Sequence, residues 1–166
     1  MKAVNQAAIC NVLKAYPNAK TNGFTSETRN YLLSILQDPD EEKVITAEAR
    51  RKETIDLFEE QFPPRIIPDL FEIDRDKKVI RLFEIEDTHP LTNEKLELLV
   101  EWWGALDFHS IELELFVTDR YGFNIRKLDL AAVCFHLKLN LPPNSKETHR
   151  FAKEMGIRFD PSPPKP

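Results

Sequence analysis

Three acids, Asp69, Glu84 and Glu86, fall in the stretch "RIIPDLFEIDRDKKVIRLFEIEDTHP" at residues 65–90. Side chains alternate along an extended strand, so Glu84 and Glu86 project from one face while Phe83 and Ile85 project from the other. If the chain reverses at "DRDKK" (74–78), Asp69 comes to lie opposite residues 83 and 84. Carboxylates that converge in this way raise one another's pKa unless a cation lies between them. Oxygen ligands without Cys or His nearby suit Mg²⁺ or Mn²⁺. The plain alternative is a strand with one wet face, since "IELEL" at 111–115 alternates in the same manner with no site attached.

The elements that must position these acids are legible in part. "RIIPDLFEI" and "KVIRLFEIE" are rich in Ile, Val, Leu and Phe, and the polar "DRDKK" between them makes the pair a β-hairpin. "LTNEKLELLVEWWGAL" then turns to helical spacing, with Leu96, Leu99, Val100, Trp103 and Leu106 on one stripe. Thr92 is its expected N-cap, and Leu91 against Leu96 a hydrophobic staple. "SIELELFVTDRYG" alternates Ile111, Leu113, Leu115 and Val117 against a polar face, as a half-buried strand does. Beyond Gly122, "IRKLDLAAVCFHLKL" reads equally as strand then helix or as one helix.

Upstream, "AVNQAAICNVLKAY" and "SETRNYLLSIL" suggest two short helices, the second capped by Thr25 or Ser26. A further helix is expected over "ITAEARRKETIDLFEEQF", ended by Pro63 and Pro64. The organisation expected is a helical N-terminal segment over 1–37, an α/β domain over 43–150, and a Pro-rich tail over 159–166 that is expected to be disordered.

"PD" at 68–69, fifteen residues before "EIE" at 84–86, within a helix–hairpin–helix–strand order, resembles the PD-(D/E)xK nuclease superfamily over roughly residues 45–120. The resemblance implies a restriction-endonuclease-like αβββαβ-type core, a central mixed sheet flanked by helices. It also implies that Asp69 and Glu84 hold the catalytic divalent metal, Mg²⁺ or Mn²⁺, with the Ile85 carbonyl completing the shell. Family members often add an acid from the preceding helix; Glu59 is the candidate and Glu48 the alternative, against a solvated helix face for both.

The chain departs from the motif at its last position, where Glu86 stands in place of Lys. Three readings follow: Glu86 serves as general base or second metal ligand, Lys95 reaches back from the next helix to supply the ammonium, or the site is degenerate on a retained fold. The function expected is hydrolysis of phosphodiester bonds in nucleic acid, DNA first. A non-catalytic binding or assembly module is the alternative.

Composition sets the frame. The net charge of −5 argues against indiscriminate nucleic-acid binding, but the charge is uneven: residues 1–37 carry +3, 38–60 carry −5, 61–120 carry −7 and 121–166 carry +4. Lys2, Lys14, Lys20 and Arg29 in the basic first segment are available to hold a phosphate backbone. Dimerisation through those helices, or a protein partner, is the rival use. No apolar run reaches the roughly 18 residues of a membrane span, and no secretory leader is evident, which points to a cytoplasmic protein. Cys10 and Cys134 have no metal-ligand spacing and read as structural thiols. His89 reads as a turn residue, Asp119 and Arg120 as a pair, and Trp102 and Trp103 as helix packing rather than base-stacking platforms.

Overall fold

The computed structural model describes residues 2–35, 67–86, 91–142 and 145–157. The helix expected over 45–62, with Glu48 and Glu59, lies outside the described residues, as do His89 and the tail. Two helices come first, α1 (Lys2–Ala15) and α2 (Phe24–Ile35). Gly23 O accepts from Glu27 N at 2.9 Å, so α2 starts ahead of the expected cap and Thr25 and Ser26 lie within its first turn.

The hairpin forms as expected from β1 (Leu70–Asp74) and β2 (Val79–Glu86), with Leu70 opposite Phe83 and Asp74 opposite Val79. Asp74 Oδ1 accepts from Lys77 N at 3.1 Å and closes the turn. Helix α3 (Asn93–Phe108) then carries the chain to β3 (Glu112–Asp119), which runs parallel to β2. A parallel partner needs such a crossover, because no short turn can return the chain to the same end of the sheet. Strand β4 (Arg126–Leu128) pairs antiparallel with β3, followed by α4 (Leu130–His136) and α5 (Lys146–Met155).

The class is α/β, with five helices among the described residues and a mixed sheet in the order β1-β2-β3-β4. Among those residues two strands precede α3, where the αβββαβ expectation has three. The ambiguous "IRKLDLAAVCFHLKL" resolves as strand then helix, because Asp129 caps α4 by accepting from Ala132 N at 3.1 Å.

Side-chain alternation splits the sheet into two apolar faces. On one, Phe71, Ile80, Leu82, Leu113 and Leu115 meet Leu99, Trp102, Trp103 and Leu106 of α3, together with Phe24 and Leu32 of α2. Burying each such side chain contributes about 1.5–3 kcal/mol. Both tryptophans are packed in this core, as expected. On the other face Leu70 and Phe83 meet Val12 of α1 and Tyr16 just beyond its end, and Phe83 stacks on Phe116 with ring centroids 5.2 Å apart. The N-terminal segment therefore shares its core with the sheet. Between its helices, Lys20 bridges to Phe71 through N–H···O bonds of 2.8 and 2.9 Å.

The remaining half of that second face is charged. Arg81 of β2 bonds Glu72 and reaches Glu114 at 3.0 Å, and Lys127 of β4 reaches Glu114 at 2.9 Å. Cys134 is buried, its Sγ donating to Asn140 O at 3.1 Å, whereas Cys10 is exposed on α1. No helix among the described residues is long and apolar enough to cross a membrane.

The turn between β3 and β4 is pinned against α1. Gly122 has φ +78, and a Cβ there would meet Ala8 O at 2.6 Å and Ala8 Cα at 2.9 Å, both backbone atoms. Gly23 has φ +86 with nothing within 4 Å of a Cβ. Both Gly→Ala changes incur the left-handed penalty of roughly 1–2 kcal/mol, but only Gly122→Ala also forces α1 from the sheet. Chemical denaturation is expected to show Gly122→Ala less stable than Gly23→Ala by at least about 1 kcal/mol; equal losses would mean that α1 gives way freely.

Candidate active site

The acids of the hairpin come together at one end of the sheet. Regular β1–β2 pairing ends at Leu70 and Phe83, and one residue further Asp69 Oδ2 accepts from Ile85 N at 2.8 Å. This bond holds the Asp69 carboxylate across the end of β2, and that carboxylate lies against the one of Glu84. Glu84 shares its face with Ile80 and Leu82, the face covered by α3, and is only 6% exposed. Burial, reinforced by Asp69, pushes its pKa up to about 7, although Lys95 pulls the other way.

Lys95, the expected alternative source of an ammonium, stands at Glu84. Thr92 caps α3 as expected, its Oγ1 accepting from Lys95 N at 3.2 Å. That bond sets Lys95 in the first helical turn, and its Nζ lies 2.8 Å from Glu84 Oε1. The contact is electrostatic, because the buried Oε1 has no hydrogen bond of good geometry. A cation in the first turn opposes the helix dipole. The opposing carboxylate offsets that cost, so the position makes sense only with Glu84 facing it.

Glu86 is engaged otherwise. It lies opposite Asp119 in the parallel ladder, and its Oε1 accepts from Arg126 NH2 at 3.2 Å. Its charge is thus partnered by an arginine one strand beyond β3, which no sequence motif identifies. Asp119 Oδ1 accepts from Tyr121 N at 3.0 Å and Phe123 N at 3.1 Å, which folds the β3–β4 turn, while Arg120 lies over the Tyr121 ring at 4.9 Å.

Among the described residues no three His, Cys, Asp or Glu side chains gather closely enough to hold a metal on their own. Asp69 and Glu84 fit a divalent ion in a more limited sense. They are two touching oxygen donors, one of them buried with an atom lacking a hydrogen bond. Mg²⁺ is commonly held by one or two carboxylates, with water and substrate phosphate filling the rest. Glu59 lies outside the described residues, and the Ile85 amide serves Asp69.

The proposed phosphate anchors are spread out rather than gathered. Lys14 ends α1 on one side of the sheet, Arg29 is exposed on α2 on the other, and Lys20 at the β1 edge pairs with Glu27 at 2.9 Å. The side chain of Lys2 is outside the described residues. A cleft of about 580 Å³ runs along α3, and its described lining includes Lys95 together with Glu94, Glu97 and Glu101.

The raised pKa of Glu84 has a sign that can be measured. Its folded value of about 7 exceeds the ordinary glutamate value of 4.5, so between them the native state binds more protons than the unfolded chain and stability falls as pH rises. Compared in chelator, wild type is expected to lose about 3 kcal/mol relative to Glu84→Gln across this interval. Glu147, also raised to about 7 by burial, acts equally in both proteins and cancels. Parallel pH profiles would show that Glu84 stays ionised throughout. No family model, no curated protein and no solved structure matches this chain.

Proposed function

We propose that the chain is a divalent-metal-dependent nuclease of the restriction-endonuclease-like kind, hydrolysing phosphodiester bonds in nucleic acid, with DNA as the first substrate to test. The observation that carries this reading is the ammonium of Lys95 placed 2.8 Å from Glu84 Oε1, beside Asp69, in a motif whose own lysine position holds Glu86. Two carboxylates and an ammonium are the charged groups that the motif requires, and here a helix supplies the third.

Asp69 and Glu84 are the residues that would hold Mg²⁺ or Mn²⁺. Such an ion, when bound, polarises a phosphate and lowers the pKa of an attacking water. The protein's own part is positioning. The Ile85 amide fixes Asp69, the capped first turn of α3 fixes Lys95, and burial of Glu84 keeps competing water from its inner oxygen. Lys95, once released from Glu84, has an ammonium free to orient water or to meet the charge that develops on phosphate.

A second reading has an observation of its own. Glu84–Lys95 and Glu86–Arg126 both set opposite charges against each other, as a non-catalytic binding or assembly module with a retained fold would have. Cleavage decides between the two. Plasmid and single-stranded DNA incubated with Mg²⁺ or Mn²⁺ are expected to be cut, and Lys95→Met to slow cutting by roughly 10²–10⁴-fold. Adding Glu86→Lys to Lys95→Met returns the lysine to the strand and is expected to restore part of the rate. Cutting by Lys95→Met, Asp69→Ala or Glu84→Ala at the wild-type rate removes these residues from the reaction.

Metal binding can be read without substrate. An ion that binds only the folded state at roughly ten times its Kd stabilises by about 1.4 kcal/mol, or about 3–6 °C in melting temperature for a chain of this size. Asp69→Asn removes a ligand and a repelling charge together. It is expected to melt higher than wild type in chelator and to shift far less in Mg²⁺ at matched ionic strength. Identical responses in the two proteins would separate Asp69 from any metal.

A further inference from the structure

Two aromatic side chains stand in solvent at the same sheet end as the carboxylates. Phe123 is 76% exposed and Tyr121 44%, and their rings stack on each other with centroids 6.1 Å apart and planes at 24°. The Arg120 guanidinium lies 4.9 Å from the Tyr121 centroid and donates to its hydroxyl at 2.7 Å. The guanidinium and the Phe123 ring thus both border Tyr121, and Phe123 itself stays largely open to solvent. Trp102 and Trp103 are buried and cannot serve in this way.

The stack is held in place by the backbone beneath it. Asp119 Oδ1 takes the amides of Tyr121 and Phe123, Asn11 Nδ2 donates to Tyr121 O at 2.8 Å, and Gly122 is pressed against Ala8. Such fixing lowers the ordering cost of binding. The turn springs from Asp119, which pairs in register with Glu86, and Arg126 at its far side reaches Glu86 at 3.2 Å. The rings therefore stand at the end of the sheet where Glu84 and Glu86 emerge.

We infer that Tyr121 and Phe123 form a stacking platform for unpaired bases, with Arg120 and Arg126 facing the adjoining phosphates. The substrate class of the proposed nuclease site is accordingly single-stranded nucleic acid, or a frayed or flapped strand end. This inference rests on the nuclease reading for its catalytic meaning. Bases inside a duplex are already stacked, whereas unpaired bases gain a partner on each exposed ring face. A second copy of this chain is the weaker occupant. Two side chains on one tight turn fall well short of the roughly 1,200 Å² that a stable dimer buries.

Binding of a fluorescent oligothymidine and of a duplex of equal length, by anisotropy in chelator with the full chain, tests the platform apart from catalysis. The single strand is expected to bind more tightly than the duplex. Phe123→Ala and Tyr121→Ala are each expected to weaken single-strand binding roughly tenfold, with duplex binding unmoved and melting temperature held. Phe123→Trp keeps a ring there and is expected to bind as wild type does. Equal affinity for duplex, or alanine variants that bind the single strand like wild type, overturns the inference. So does a dimer in sedimentation that Phe123→Ala abolishes in a chain that binds no oligonucleotide, because the patch then belongs to a second copy. Stacking that depends on the rings in a chain that cuts nothing sustains the platform and overturns the nuclease reading alone.

Discussion

The parallel ladder between β2 and β3 is the constraint on which the rest of the molecule depends. It runs unbroken from Val79 opposite Glu112 to Glu86 opposite Asp119. Its apolar alternation supplies both faces of the core. Its direction obliges the chain to cross over through α3. Because that helix begins only a few residues beyond Glu86, its first turn stands beside the end of β2, and Lys95 is brought to Glu84 as a consequence of strand direction. The polar ends of both strands emerge together, so Glu84, Glu86 and Asp119 share one end of the sheet without any element dedicated to gathering them.

The Glu84–Lys95 pair illustrates how little a buried contact of opposite charges guarantees. Removing a carboxylate from water costs several kcal/mol, and a single ammonium with no aligned hydrogen bond returns only part of it. The raised pKa of Glu84 states that balance directly. On the other face, Arg81 pairs with both Glu72 and Glu114 and so satisfies its guanidinium from two strands at once. The two clusters use the same chemistry with different completeness. The one that is complete ties strands together, and the other leaves a buried carboxylate oxygen without a hydrogen bond.

Much of this was legible beforehand, for identifiable reasons. Strand alternation in "KVIRLFEIE", the polar reversal at "DRDKK" and the Thr92 cap each rest on local geometry, and local geometry is what a sequence displays. Lys95 was visible as one candidate among several because it falls in the first turn of the helix that follows the hairpin, within reach of the position where the motif lysine is missing. Arg126 was not visible, since its partner depends on the register of a three-residue strand inside a segment that reads two ways. Tyr121 and Phe123 were passed over because their meaning lies in exposure, and an aromatic beside a turn glycine looks the same whether it points inward or out. Helix α5 escaped because half of its residues are charged. Only Thr148, Phe151 and Ala152 are buried, although Ser145 and Gly156 mark its two ends.

The bridge between Lys20 and Phe71 bears on how the molecule avoids its neighbours. An open mixed sheet has two edges, and each is a template on which another chain can add a strand. At β1 the outward N–H and C=O of Phe71, the second residue of a five-residue strand, are both occupied by Lys20. At the opposite edge β4 is three residues long and presents Arg126 and Lys127. One border is closed by the chain's own backbone and the other is too short and too charged to be copied. Among the described residues the sheet thus has four strands with both borders guarded, and crowding the protein to high concentration should drive it less readily into the edge-to-edge stacking by which exposed strands seed fibres.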